Sequence, residues 1–217
     1  MKQMKNQKGF TLVEIAIVLV IIGLLLGGVL KGQQLIENAK IKNIVNDLKG
    51  VTAAYYSYQD RYRAVPGDDN AASTRFTGAD NGGGNGVIAG TYAAQTAPGL
   101  AAESNNFWQH TRMAGLLNGS ATANVALPSL HALGGILGVE DAAYGMTGAV
   151  VCAGSVPWSI AQAVDTQLDD GNSATGSVRA GAAGGANLAT AAATAAVYGP
   201  TIAAPAVAGM HTVCMKL

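Results

Sequence analysis

Lys8-Gly9-Phe10-Thr11-Leu12-Val13-Glu14, with the apolar run that follows it to Leu30, decides how this chain is organised. The sixteen residues from Ile15 to Leu30 carry no charge, and the twenty-one from Phe10 to Leu30 carry only that of Glu14. At the helical rise of about 1.5 Å per residue, twenty-one residues reach ~31 Å, the thickness of a bilayer's hydrocarbon core. Lys2, Lys5 and Lys8 precede the run with no acid among them, so the positive-inside bias places the N-terminus in the cytoplasm and everything after Lys31 outside it. A secretory signal shares the basic start, but its apolar core is short and ends at a small-residue cleavage site. Here the core is long and has a glutamate near its beginning, which predicts a single retained span.

These residues resemble the processing signature of the type IV prepilin family, the class III signal, shared with the pseudopilins of type II secretion. The resemblance implies that a membrane-embedded aspartyl peptidase cuts between Gly9 and Phe10 on the cytoplasmic side and methylates the new amino terminus at Phe10. The apolar helix then stays with the mature protein. An ionised carboxylate in hydrocarbon needs a partner. Glu14 lies one helical turn after Phe10, at the depth of a free amino terminus. In the family that partner is the amine of a neighbouring subunit, which makes Phe10 and Glu14 the expected assembly pair.

The rest of the composition agrees with a structural role. The chain has 217 residues, 49% apolar and 12% charged, with formal net charge zero. Removing residues 1–9 takes three lysines and leaves ten basic against thirteen acidic residues. After Arg75 the only basic residues are Arg112, Arg179 and Lys216, so no basic patch favours nucleic acid there.

From Lys31 to Ala64 the same helix is expected to continue as an amphipathic one. Ile41, Ile44, Val45, Leu48, Val51, Tyr55, Tyr58 and Tyr62 recur at steps of three and four, while Lys40, Lys42, Asn43, Asn46, Asp47 and Lys49 take the other side. A straight helix over Phe10–Ala64 would be ~80 Å long, too long for a head to cover more than its outer half. That predicts an α+β lollipop like a pilin: leader 1–9, membrane half 10–30, amphipathic half 31–64, and a head over 65–217 built on a small antiparallel sheet. Gly23, Gly27, Gly28 and Gly32 suit close bundling of identical helices. Many family members carry a proline at the position held here by Lys31.

Val65-Pro66-Gly67-Asp68 ends the helix by turn chemistry. Tyr62-Arg63-Ala64-Val65-Pro66-Gly67-Asp68 resembles a junction common in one group of prepilins. So do the Glu103 to Leu117 segment, with its Phe107-Trp108 pair, and Leu168-Asp169-Asp170-Gly171 with the helix before it. The glycine-rich run Gly78–Gly90 reads as a flexible surface loop, because Gly83 leaves a calcium loop without a ligand and no phosphate-loop lysine is present. Ala149–Cys152 and His211–Met215 read as strands. Ala180–Gly209, dominated by Ala, Gly, Thr and Pro, reads as a long surface loop suited to partner contacts or glycans.

Cys152 and Cys214 are the only cysteines, on the extracytoplasmic side and 62 positions apart. A disulfide between them would close a long loop, worth ~4 kcal/mol by chain entropy, and the resemblance agrees, since pilins often close a C-terminal region this way. Asp165, Asp169 and Asp170 offer a calcium set, but carboxylates capping a turn are the commoner use, and the expectation is no metal and no cofactor. No Gly-x-Ser-x-Gly, His-Glu-x-x-His or phosphate loop appears, so the chain is not read as an enzyme.

The expected function is a pilin subunit that polymerises through its N-terminal helix. The alternatives are a type II pseudopilin, or a minor or tip pilin with an adhesive or DNA-uptake role. Its implied partners are copies of itself, the prepilin peptidase and methyltransferase, an assembly platform with its ATPase, and the inner membrane before assembly. The head is expected in the periplasm, or outside the cell once assembled.

Overall fold

The computed structural model describes residues 10–93, 102–121, 127–182, 198–199 and 209–217. The chain divides into two compact units, 1–39 and 40–217. Helix α1, Leu12–Tyr62, is continuous through Gly23, Gly27, Gly28 and Gly32. Phe10 to Lys31 are all exposed, as a stretch without a single core position must be. The helix stops at Tyr62, two residues short of the expected Ala64. Arg63 turns into the left-handed region at φ 55° while its amide still bonds the Gln59 carbonyl, and this closes the helix before Pro66 can interrupt it.

In the second unit α1 is followed by a short helix α2, Ala72–Arg75, and by α3, Glu103–Met113. Next come strands β1, Ser129–Leu130, β2, Ile136–Asp141, and β3, Ala149–Pro157, then helix α4, Trp158–Leu168, and strands β4, Val178–Ala182, and β5, Met210–Lys216. The strands form one antiparallel sheet in the order β1-β2-β3-β5-β4. The fold is α+β, a long N-terminal helix followed by a head built on that sheet.

Strand alternation gives the sheet two different faces. On the inner face Leu137, Val139, Val151, Ala153, Val178, Ala180 and Val213 pack with Ile44, Val45, Leu48 and Val51 of α1 and with Phe107 and Trp108 of α3. The stripe anticipated on the helix is therefore the wall of the core. On the outer face Val150, Cys152 and Cys214 are covered by Tyr92, Ala93, Ala143, Tyr144 and Met146. Glycine makes this second cover possible: a Cβ on Gly138 would strike the Tyr92 carbonyl, and one on Gly181 would strike the Tyr144 ring.

Two sequence expectations need correction. Ala180–Ala182 are not surface loop but the end of β4, with Ala180 fully buried in the core; the rest of the expected loop lies outside the described residues except Tyr198, Gly199 and Gly209. The Gly78–Gly90 run is a tethered loop. Asp68 accepts the amides of Asn85 (3.1 Å) and Gly86 (2.6 Å), and Glu103 those of Gly83 (2.6 Å) and Ala89 (2.7 Å). Two carboxylates thus satisfy the donors of a backbone that has few side chains of its own. The outward edge of β4 is closed in the same way, since Asp169 accepts the amides of Ser177 and Val178, and Ser173 accepts that of Ala180.

Candidate functional site

The site begins at the first turn of α1. Thr11 stands immediately before the helix, and its hydroxyl accepts the Glu14 amide at 3.3 Å. Glu14 in return accepts the Thr11 amide (2.8 Å) and hydroxyl (2.7 Å) through Oε2. This is a reciprocal capping box, which satisfies donors that a helix start would otherwise leave open. Within the chain, then, the partner of Glu14 is Thr11. The Thr-x-x-Glu spacing ahead of an apolar run is readable in the sequence, and Thr11 is the capping residue that hydrophobic patterning misses. Phe10 precedes the cap, 84% exposed, whereas Lys2, Lys5, Lys8 and Gly9 lie outside the described residues. Among the described residues, α1 is a helix long and apolar enough to cross a membrane.

The junction after α1 is locked by polar groups. The buried Tyr58 hydroxyl donates to Asp69 at 2.7 Å, and Arg75 pairs with the same carboxylate oxygen. Burial pushes the Asp69 carboxyl up, but the bonds from Tyr58, Ala71 and Arg75 outweigh it and hold it below its usual range. His110, fully buried and stacked on Tyr58, accepts the Gly67 amide on Nδ1 (2.9 Å), which leaves Nε2–H to donate to the Asp80 carbonyl (2.7 Å). Burial pushes this imidazole down toward its neutral form, which such a bonding pattern requires. Gly67, at φ +93° and against the Glu103 carbonyl, explains why the turn reads Pro-Gly-Asp.

Cys152 and Cys214 form a disulfide between directly paired positions of β3 and β5. Asp165, Asp169 and Asp170 converge, with one ligand atom from each within 4.8 Å of the others. Each carboxylate is already a hydrogen-bond acceptor: Asp165 accepts from Gly171 and the Tyr198 hydroxyl, Asp169 from Ser177 and Val178 through Oδ2 alone, and Asp170 from Asn172 and the Thr175 hydroxyl. Burial raises the Asp165 carboxyl, whereas the Thr175 bond lowers that of exposed Asp170. The cluster organises the turn between α4 and β4.

With this geometry in view, the comparisons bear on residues 4–30, which match the family model of the prokaryotic N-terminal methylation motif, the class III signal of type IV pilins and pseudopilins. No curated protein and no solved structure matches the chain. The motif and the α+β fold with its long leading helix together support a protein of type IV pilin or pseudopilin type.

Proposed function

We propose that the chain is the precursor of a filament subunit, cut between Gly9 and Phe10, methylated on Phe10, and polymerised through the N-terminal half of α1. The observation that carries this reading is the match of residues 4–30 to a methylation motif whose helix is uncharged and exposed from Ile15 to Leu30. Such a surface must be covered by lipid before assembly and by copies of itself afterwards, because water solvates it poorly. The chain is a structural subunit, with assembly driven by a separate platform and ATPase.

Glu14 makes the exchange of environments specific. Its capping bonds to Thr11 leave it at the same helix end as the new amino terminus, where a neighbour's methylated amine gives the carboxylate a counter-charge as lipid is left behind. The head, closed by the disulfide, stays on the side away from the cytoplasm.

The test is isolation of surface filaments with mass spectrometry of the subunit's N-terminus. An abundant filament whose subunit starts at N-methylated Phe10 supports the reading, and a trace component with the same terminus makes the chain a minor pilin or pseudopilin. A functional form that retains residues 1–9 overturns it. Glu14→Ala is expected to insert normally and to lower filament yield by at least about tenfold, the scale of a lost charge pair in a poorly hydrated site.

A further inference from the structure

A buried carboxylate on the outer face of the sheet has no part in the assembly reading. Glu140 in β2 is 3% exposed, and its Oε2 accepts the backbone amide of Tyr92 at 3.0 Å. Tyr92 lies over Gly138 and Gly154, with its hydroxyl 3.3 Å from Thr212 Oγ1 of β5. It is held at both ends, backbone on β2 and hydroxyl on β5, in the cluster that contains Cys152 and Cys214.

Among the described residues no cation contacts Glu140, although Lys216 of β5, in register with Val150, stands exposed on the same face two strands away. The covering arm contributes the Tyr92 phenol, the loop after β2 contributes that of Tyr144, and the strand itself contributes Asp141. Opposite on β3 stands Val150. Arg179 of β4 is bonded to the carbonyls of Tyr144 (3.0 Å) and Gly176 (3.3 Å), and no ion pair reaches Glu140 among the described residues. An ionised carboxylate held out of water without a cation is strongly disfavoured, so the charged form favours any conformation that hydrates it.

We propose that Glu140 is a pH-responsive latch: neutral, it seats the Tyr92 arm on the outer sheet face over the disulfide, and ionised, it releases the arm into water. Burial raises this carboxyl to about 7, with the Tyr92 amide opposing the rise and Asp141 adding to it. Because the closed form holds its proton more tightly than a hydrated carboxyl, the stabilisation is complete below the ordinary carboxylate range and is lost as pH rises through about 7.

Hydrogen exchange of the amides of residues 88–93, measured on the full chain in detergent micelles from acid to mildly alkaline pH and corrected for intrinsic rates, tests this. Protection of that segment is expected to fall by about tenfold or more across neutrality, while β3 amides keep theirs. The scale follows from linkage, because a carboxyl that titrates one pH unit higher closed than open couples its proton to closure by a factor of about ten. Glu140→Gln, which retains an acceptor but cannot ionise, is expected to flatten the profile. Asp141→Asn, which keeps Glu140, is expected to move the midpoint to lower pH. An identical pH dependence in wild type and Glu140→Gln, or loss of β3 protection in step with residues 88–93, overturns the proposal.

Discussion

Val139 and Glu140 are neighbours on β2, both almost completely buried, yet they belong to two differently built faces. The inner face is aliphatic, with branched side chains meeting the stripe of α1. The outer face is covered by two tyrosines lying on glycines, a disulfide and a lone carboxylate. Burial on the inner face follows from apolar area, which is non-directional and independent of pH. On the outer face it depends on a covalent bond and on a few directional contacts, each of which a single change can undo.

The largest expected effect comes from removing the covalent part. Cys152→Ala with Cys214→Ala is expected to lower the stability of the full chain in micelles by ~4 kcal/mol, the chain-entropy value for a loop of this size. Denaturant titration followed by tryptophan fluorescence would show it. A loss under about 1 kcal/mol would mean that the β3 and β5 pairing holds the outer face without its bridge.

Leu48→Ala, on the inner side, is expected to cost about 3 kcal/mol through lost transfer energy and the cavity left behind, with the same cost at mildly acid and mildly alkaline pH. Leu25→Ala, in the exposed stretch of α1, is the matched control and should leave the denaturation midpoint of the head unchanged. A pH-dependent Leu48→Ala would break the contrast between the faces.

The expected cost of Gly138→Ala is about 2 kcal/mol, because the new methyl overpacks against the Tyr92 carbonyl. Tyr92→Phe is the smallest change, about 0.5–1 kcal/mol for one hydroxyl contact. Both should reduce amide protection of residues 88–93 more than that of β3, which sharpens the assignment of Tyr92 to a separately held arm.

The inner half of this architecture is legible in the sequence, because helical periodicity from Ile41 to Tyr58 and the uncharged run to Leu30 each obey one repeating rule. Of the outer half, the Cys152–Cys214 bridge and the two strands that carry it are legible, but the rest is not. β2 reads Ile-Leu-Gly-Val-Glu-Asp, and a glycine with two acids argues against a buried strand until Tyr92, 46 positions away from Gly138, is seen to need the space. β4 is hidden for a related reason, since Ala180-Gly181-Ala182 shares the composition of the loop that follows. In the Gly78–Gly90 run the fixing groups, Asp68 and Glu103, lie outside the stretch whose composition suggests flexibility. At the N-terminus the apolar run and Glu14 are plain, whereas Thr11 escapes notice because its bond to Glu14 is a property of the helix start, which hydrophobic counting does not register.

The closed outer margin of β4 bears on how this protein can associate. Sheets left open at the side recruit further strands, which is how β-augmentation and amyloid stacking begin. Here the amides of Val178 and Ala180 are already engaged by Asp169 and Ser173, and at the opposite margin β1 is only two residues long. With one margin engaged and the other short, the sheet offers little template for pairing with the strand of another chain.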